Sequence, residues 1–106
     1  MFQEQIQKRY AKETEDASLG CANLMPFLEI DPGMRILDLG CGRGYQTRML
    51  ALRTGDHGLV FGLDLTPEMI QRAQIENGGE NLRYLTGDIH DLPFEEDFFD
   101  LMVSNC

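Results

Sequence analysis

Three glycines at alternate positions are the residues whose type and spacing first suggest chemistry. They lie in the run Asp38-Leu39-Gly40-Cys41-Gly42-Arg43-Gly44, which follows a short apolar segment. Glycine allows a tight turn and lets a ligand approach the backbone closely. The spacing departs from the dinucleotide fingerprint GxGxxG, because Tyr45 stands where that fingerprint has its third glycine. A glycine-rich turn can also serve structure alone, so a second feature is needed before it predicts a ligand.

A carboxylate after the next apolar run supplies that second feature. Asp64 lies twenty residues after Gly44, at the expected end of a second strand. An acid at this place can accept hydrogen bonds from both ribose hydroxyls of an adenosine. The alternative is that Asp64 caps the following helix, but Thr66 in front of Pro67 is expected to do so. Strand, glycine turn, helix, strand and acid in this order predict a nucleoside-containing cofactor.

The third feature is Gly87-Asp88-Ile89, at the end of a third apolar run. A carboxylate there can accept a hydrogen bond from the exocyclic amine of adenine, with Leu65 and Ile89 flanking the ring. Gly-Asp is also common turn chemistry, so this segment alone stays open to a structural interpretation.

Apolar runs alternating with helical segments must position these side chains. Strands are predicted at 34–39, 59–65, 82–86 and 100–104. Helices are predicted at 45–53, with Met49, Leu50 and Leu52 on or near one face, and at 67–76. This order predicts an α/β fold, a Rossmann-like parallel sheet of about four strands with flanking helices, in which ligands bind at the carboxyl ends of the strands. We divide the chain into a helical N-terminal segment over 1–30 and a cofactor-binding unit over 31–106.

Composition and charge exclude several classes of function. The chain has 106 residues, 42% of them hydrophobic and 25% charged, which fits one folded domain. The net charge of −9 argues against a nucleic-acid or membrane-surface binder. Eight acids against the single base Arg83 within 76–100 indicate a solvated loop. No apolar run is long enough to span a bilayer, and the first ten residues lack a secretory signal pattern, so the cytoplasm is the expected location.

The cysteines indicate neither a disulfide framework nor a metal site. Cys21, Cys41 and Cys106 are odd in number, widely spaced and free of any CxxC motif. Reduced, packed thiols are therefore the expectation, and no metal is predicted.

The motifs taken together resemble those of class I S-adenosylmethionine-dependent methyltransferases. The run 36–44 is similar to motif I of that family, 62–66 to its second motif, 87–89 to its third, and 99–105 to its fourth strand. The resemblance implies that Asp38 orders the glycine turn and reaches the methionine amine through water, and that Tyr10 closes over the site. It implies the following cofactor-binding residues: Asp38, Gly40, Cys41, Gly42, Gly44, Asp64, Leu65, Asp88, Ile89 and Asn105.

Two branches of the family resemble the chain in more detail. The segments 19–23 and 104–106 are similar to arsenite methyltransferases, in which thiolates hold trivalent arsenic, and Cys21 and Cys106 match two such positions. Both cysteines can equally be packing residues of a general small-molecule methyltransferase. Quinone-pathway methyltransferases share much of the pattern, including Leu92-Pro93-Phe94. Methyl transfer needs no dedicated acid–base pair, so we assign no catalytic residue and expect His57 and His90 to be solvated loop residues.

The family's sheet has seven strands, whereas four are predicted here. Three explanations follow: a fragment of a longer enzyme, a chain whose fourth-strand edge is covered by a second copy or another protein, or an inactive remnant. We expect a fragment that binds S-adenosylmethionine weakly and catalyses nothing measurable. The alternative class is a non-catalytic cofactor-binding or interaction module, and a clear preference for NAD would instead indicate half of an oxidoreductase.

Overall fold

The structure is a computed structural model that describes residues 28–88, 90–92, 94–95 and 97–104. The chain forms, in order, β1 (Arg35–Leu39), α1 (Tyr45–Thr54), β2 (Leu59–Asp64), α2 (Pro67–Glu76), β3 (Leu82–Thr86) and β4 (Leu101–Ser104). All the strands and helices predicted after residue 30 are confirmed, with bounds that move by at most one residue. The predicted N-terminal helices lie outside the described residues, apart from 28–30, which have no helical structure.

The four strands form one parallel sheet in the order β3-β2-β1-β4. The chain leaves β1 on one side through β2 and β3 and returns to the other side with β4. The register places Leu39 beside both Leu63 and Ser104, so the carboxyl ends of β2, β1 and β4 are level. The predicted α/β, Rossmann-like fold class is confirmed, and the switch point where such sheets bind ligands lies between β1 and β4.

Successive strand residues point to opposite faces of the sheet, and each face has its own core. One face packs against the two helices. Its buried residues are Leu28, Ile36, Leu50, Ala51, Val60, Ile70, Ala73, Leu82, Tyr84, Leu101 and Val103. On the other face the strand residues Leu37, Leu39 and Leu63 are buried. The connection between β3 and β4 packs against them, and its Phe99 is buried in the same cluster. Right-handed crossovers explain the division, since the chain reverses its direction across the sheet after β3.

The buried stripe of α1 differs from the one predicted. The sequence pattern places Met49, Leu50 and Leu52 on or near one face, but Met49 is 36% and Leu52 64% exposed. The buried residues of α1 are Thr47, Leu50, Ala51 and Thr54. Threonines can replace apolar residues here because each hydroxyl has a partner, Asp38 Oδ2 for Thr47 and the Met34 carbonyl for Thr54, both at 2.7 Å.

Within the described part of the chain, no helix has both the length and the apolar character needed to cross a membrane.

Candidate functional site

A cleft of about 320 Å³ opens at the carboxyl ends of the strands. All four strand ends contribute to it. Its lining residues are Leu39, Gly40, Leu63, Asp64, Leu65, Thr66, Gly87 and Ser104. Clefts of roughly 300–1,000 Å³ accept small ligands and cofactors. The position agrees with the switch-point prediction, and the cleft brings the three predicted motifs to one place.

The three glycines of the turn after β1 share a positive φ but differ in their surroundings. Gly40, Gly42 and Gly44 have φ of 68°, 57° and 87°, a region that side-chain-bearing residues rarely adopt. A Cβ added at Gly40 or Gly42 would meet no protein atom within 4 Å, whereas at Gly44 it would come to 2.9 Å from Cζ of Tyr84. The first two glycines therefore leave open space beside the backbone, and the third is required for packing.

Backbone bonds tie the start of this turn to the end of β2. The amides of Gly40 and Cys41 both donate to the Leu63 carbonyl, at 2.7 and 3.0 Å. The Gly42 amide donates to Oδ2 of Asp64 at 2.9 Å. The turn is therefore held against the strand that carries the predicted ribose-binding acid.

Asp64 joins the glycine turn to the start of α2. Its Oδ1 accepts from the Thr66 amide at 2.9 Å, while its Oδ2 accepts from Gly42. Thr66 is the N-cap residue, as predicted, but its side chain makes no capping hydrogen bond. The expectation that Thr66, and not Asp64, caps α2 is therefore wrong, because the Asp64 carboxylate accepts a hydrogen bond from a backbone amide at the start of the helix. Each carboxylate oxygen retains a further acceptor position, and Asp64 lines the cleft.

Asp38 is buried behind the glycine turn and does not line the cleft. It is 2% exposed, and the Thr47 hydroxyl donates to its Oδ2 at 2.7 Å. Burial raises the pKa of Asp38 to about 7, although the Thr47 hydrogen bond opposes the rise. The carboxyl therefore changes charge near neutral pH, next to a turn whose first two glycines face open space. Its contact with a methionine amine stays a prediction.

Cys41 is half-buried and packs against the helix-side core. Burial, reinforced by the nearby Asp38 and Asp64 charges, raises the pKa of its thiol to about 12. The thiol is therefore protonated at neutral pH. Cys41 is thus a reduced, packed thiol, as expected.

The remaining predicted residues divide between the cleft and its surroundings. Leu65 is 68% exposed and lines the cleft, and the Gly87 amide donates to the Asp64 carbonyl at 3.0 Å. Asp88 is exposed, and its Oδ1 accepts from the His90 amide at 2.9 Å. It is not among the lining residues. The predicted residues that lie outside the described part of the chain are Tyr10, Cys21, Ile89, Asn105 and Cys106.

The sequence did not single out Thr66 and Ser104 as site residues, yet both line the cleft. Their positions could have indicated this, because Ser104 ends β4, Thr66 follows the end of β2, and ligands bind at the carboxyl ends of parallel strands. His57 and His90 are exposed, as predicted, and neither lines the cleft. Among the described residues, no group of three or more His, Cys, Asp or Glu side chains could hold a metal ion.

A family model described as a methyltransferase domain matches residues 30–106. Together with the fold and the glycine–acid site, this match defines the class: the chain belongs to the class I S-adenosylmethionine-dependent methyltransferases. The predicted resemblance is confirmed.

Individual proteins that the chain resembles are also methyltransferases, and the names of two of them indicate different methyl acceptors. The chain is 38% identical over 94 residues to an arsenite methyltransferase of Halobacterium salinarum, covering 86% of this chain and 24% of that protein. It is 34% identical over 77 residues to a demethylmenaquinone methyltransferase of Desulfitobacterium hafniense, covering 69% of this chain and 30% of that protein. The crystal structure of an S-adenosylmethionine-dependent methyltransferase of Mesorhizobium loti matches with a TM-score of 0.64 and 36% identity, over 76% of this chain and 36% of that one. The chain thus spans about a quarter to a third of the length of these curated relatives.

Proposed function

We propose that this chain is the S-adenosylmethionine-binding portion of a methyltransferase that acts on a small-molecule acceptor. The observation that carries the proposal is the hydrogen bond between the Asp64 carboxylate and the glycine turn, at the edge of the cleft. One carboxylate bonds the Gly42 amide and the start of α2, and it lines the cleft together with Gly40, one of the two glycines that leave open space. This arrangement fits a nucleoside with a slender charged extension.

The residues present fit the parts of the cofactor. The acceptor positions left on Asp64 suit two ribose hydroxyls. The open space beside Gly40 and Gly42 suits the methionine chain, and the exposed side chain of Leu65 suits one face of the adenine ring. From the family resemblance we assign Ile89 to the other face of the ring, Asp88 to the adenine amine and Asn105 to the methionine moiety.

The bound cofactor supplies an electrophilic methyl group on a sulfonium sulfur. The protein's task is to orient donor and acceptor in line and to keep water away. Asp64 is the only ionisable side chain among the cleft-lining residues in the described part of the chain. It is engaged in binding, so the described half of the site holds and orients the donor.

Calorimetric titration of the 106-residue chain with S-adenosylmethionine and with NAD tests the proposal. We expect S-adenosylmethionine to bind and NAD not to bind. Asp64→Asn is expected to weaken S-adenosylmethionine binding about ten- to a hundredfold, because a hydrogen bond to a charged group contributes roughly 1.5–3 kcal/mol. Asp97→Asn changes an exposed acid outside the cleft and serves as the matched control. Preference for NAD would refute the proposal in favour of an oxidoreductase half.

A second candidate is an arsenite methyltransferase in which Cys21 and Cys106 hold trivalent arsenic. The similarity to the Halobacterium salinarum enzyme over 86% of the chain favours it. We expect titration with arsenite to show binding that is lost in Cys21→Ser and in Cys106→Ser. Cys41→Ser provides the control, because the thiol of Cys41 is half-buried and protonated. Binding that survives both substitutions would leave the general small-molecule acceptor as the better candidate.

A third candidate is a non-catalytic module completed by another chain. The described sheet has β4 at one edge, and a second copy or a partner protein could pair with it. Light scattering on the purified chain, with and without S-adenosylmethionine, tests this. A stable dimer would favour the module, and a monomer that binds cofactor would favour the methyltransferase portion.

A further inference from the structure

A second set of contacts reaches the glycine turn, from the end of α2 and from β3. The side-chain amide of Asn77 donates from Nδ2 to the Arg43 carbonyl at 2.9 Å. The Tyr84 hydroxyl lies 2.8 Å from the Asn77 carbonyl and 3.3 Å from the Gly44 carbonyl. Neither Asn77 nor Tyr84 lines the cleft. They touch the turn and not the space that a ligand would occupy.

Tyr84 is built into the core at this point. It is 7% exposed, and its ring fills the space that a side chain at Gly44 would need. Its hydroxyl has a single proton, so it bonds Asn77 at the shorter distance and shares with Gly44 at the longer one. The Gly44 carbonyl also accepts from the Arg48 amide at 2.9 Å, which begins the helical bonding of α1. Tyr84 therefore joins Asn77 to the last residue of the turn.

The turn is thus held at both ends by separate groups. Its first half is tied to Leu63 and Asp64 of β2, and its second half to Asn77 and Tyr84. A segment with three positive-φ glycines has much conformational freedom when it is not held. If that freedom is lost only when a ligand binds, the loss weakens affinity, and a turn that is already ordered avoids it.

We propose that Asn77 and Tyr84 are positioning residues that set cofactor affinity by ordering the second half of the glycine turn. The identity of the ligand rests on the function proposed above. The ordering itself does not, because it follows from contacts within the chain.

Other contacts in the same region supply controls. Arg48 donates from its guanidinium to the Gly78 carbonyl at 2.7 Å, so it links α1 to the segment after α2 by its side chain without bonding the turn. The guanidinium of Arg43, a residue of the turn, also bonds both carboxylate oxygens of Glu76, at 3.0 and 2.9 Å, but both side chains are exposed and salt screens their attraction. Arg48→Ala therefore removes a long-range hydrogen bond to the segment after α2 and leaves the carbonyls of the glycine turn bonded.

The test compares Asn77→Ala, Tyr84→Phe and Arg48→Ala in the 106-residue chain. We measure the Kd for S-adenosylmethionine by calorimetry, the thermal midpoint by circular dichroism, and hydrogen exchange of the Gly42 and Gly44 amides by NMR. Loss of one neutral hydrogen bond is expected to raise the Kd about two- to tenfold in Asn77→Ala and less in Tyr84→Phe. Exchange at the Gly44 amide, in the second half of the turn, should quicken more than exchange at the Gly42 amide, which Asp64 holds, while exchange in β1 stays unchanged. Arg48→Ala should leave the Kd and the glycine exchange as they are.

Two outcomes separate this inference from the proposed function. If the unsubstituted chain binds no S-adenosylmethionine, the proposed function fails, and hydrogen exchange alone decides the positioning role. If Asn77→Ala and Arg48→Ala give the same glycine exchange and the same Kd, Asn77 has no positioning role and the inference is overturned. A Kd that rises only in proportion to a fall in thermal midpoint across all three variants would also overturn it, since that pattern indicates general destabilisation.

Discussion

The connection from β1 to α1 and the connection from β3 to β4 both leave the carboxyl end of a strand, yet different contacts hold them. The first is fixed by hydrogen bonds to groups far along the chain, such as Asp64 Oδ2 for Gly42 and Asn77 Nδ2 for Arg43. The second packs its phenylalanine rings on one another and on Phe61. At its two ends Gly87 and Asp100 bond Asp64 and Arg35, but between them the bonds from His90, Asp91 and Phe98 reach partners only two or three residues away.

The difference matches what each connection has to do. Hydrogen bonds depend on direction and fix the orientation of individual peptide groups, which suits a turn whose backbone faces a ligand. Burial of apolar rings removes area from water and depends little on direction, which suits a segment that covers one face of the sheet. We therefore expect substitutions in the aromatic connection to change stability, and substitutions in the glycine turn to change cofactor binding as well.

The largest effect is expected from Phe99→Ala. Phe99 is 2% exposed, and ring centroids of Phe94 and Phe98 lie 4.8 and 4.9 Å away. Truncating a buried phenylalanine costs about 3–5 kcal/mol of unfolding free energy, so urea denaturation should shift strongly. Phe99→Leu is the milder form should the alanine variant not fold.

In the folded fraction of either variant, the Kd for S-adenosylmethionine should be unchanged. A large change in Kd that survives correction for the unfolded fraction would break the division between the two connections. Phe98→Ala, which truncates a half-buried ring of the same cluster, should cost less than Phe99→Ala.

The next effect is expected from Gly44→Ala. The new Cβ would meet Tyr84 and would stand at a φ of 87°, so strain and overpacking together should cost about 2–4 kcal/mol. Gly33→Ala is the control, because Gly33 has a φ of 88° but open space where a Cβ would lie. Chemical denaturation should show a clearly smaller loss for Gly33→Ala, about 1–2 kcal/mol. Equal losses would mean that contact with Tyr84 has no bearing on the turn.

The regular elements and the acid at the end of β2 could be predicted from the sequence because their signals are local. Apolar runs that end in glycine or in Thr66-Pro67 mark the strands and the start of α2 within a few residues. The position of Asp64 at the end of β2, in the cleft and bonded to the glycine turn, agrees with its distance along the chain from that turn. Such features need no knowledge of which elements meet in space.

The contacts that hold the turn could not be predicted in this way. Asn77 and Tyr84 lie 34 and 40 residues from the carbonyls they reach, and nothing near either residue in the sequence marks it as part of the site. The buried face of α1 was missed for a related reason. Thr47 and Thr54 count as polar in any apolar pattern, and only the fold supplies the partners that allow them to be buried.

The pH dependence of stability should separate the two connections next. The folded-state pKa of Asp38 is raised to about 7, so the folded chain holds a proton that the unfolded chain releases near its ordinary pKa of 3.8. The free energy of unfolding therefore falls as pH rises from about 4 to about 7. Asp38→Asn, which cannot ionise, should gain stability relative to the unsubstituted chain between those values.

Urea denaturation at several pH values measures this difference. When the free energy of unfolding of the unsubstituted chain is subtracted from that of Asp38→Asn at each pH, the titration of the other carboxyls cancels. For Phe99→Leu the same difference in unfolding free energy should not vary with pH, because no titratable group changes there. A constant offset for Asp38→Asn would show that burial of this carboxyl does not shift its pKa.

The smallest effect is expected where β1 meets the aromatic connection. The guanidinium carbon of Arg35 lies 4.6 Å from the ring centroid of Phe98, and the Arg35 amide donates to Oδ2 of Asp100 at 2.9 Å. Arg35→Gln removes the cation from the ring but keeps the backbone bond. An exposed cation–π contact contributes about 0.5–1 kcal/mol, so the loss in unfolding free energy should lie in that range.

A double-mutant cycle with Phe98→Leu isolates the contact, because the two substitutions should then lose less together than the sum of their separate losses. Arg35→Lys keeps a cation and should retain part of the coupling. Full additivity would mean that Phe98 is held by its neighbouring rings alone, so that burial without a directed side-chain contact accounts for the position of this ring. Coupling above 1 kcal/mol would mean the opposite: a directed contact would then help to fix this segment too, and the contrast with the glycine turn would become one of degree.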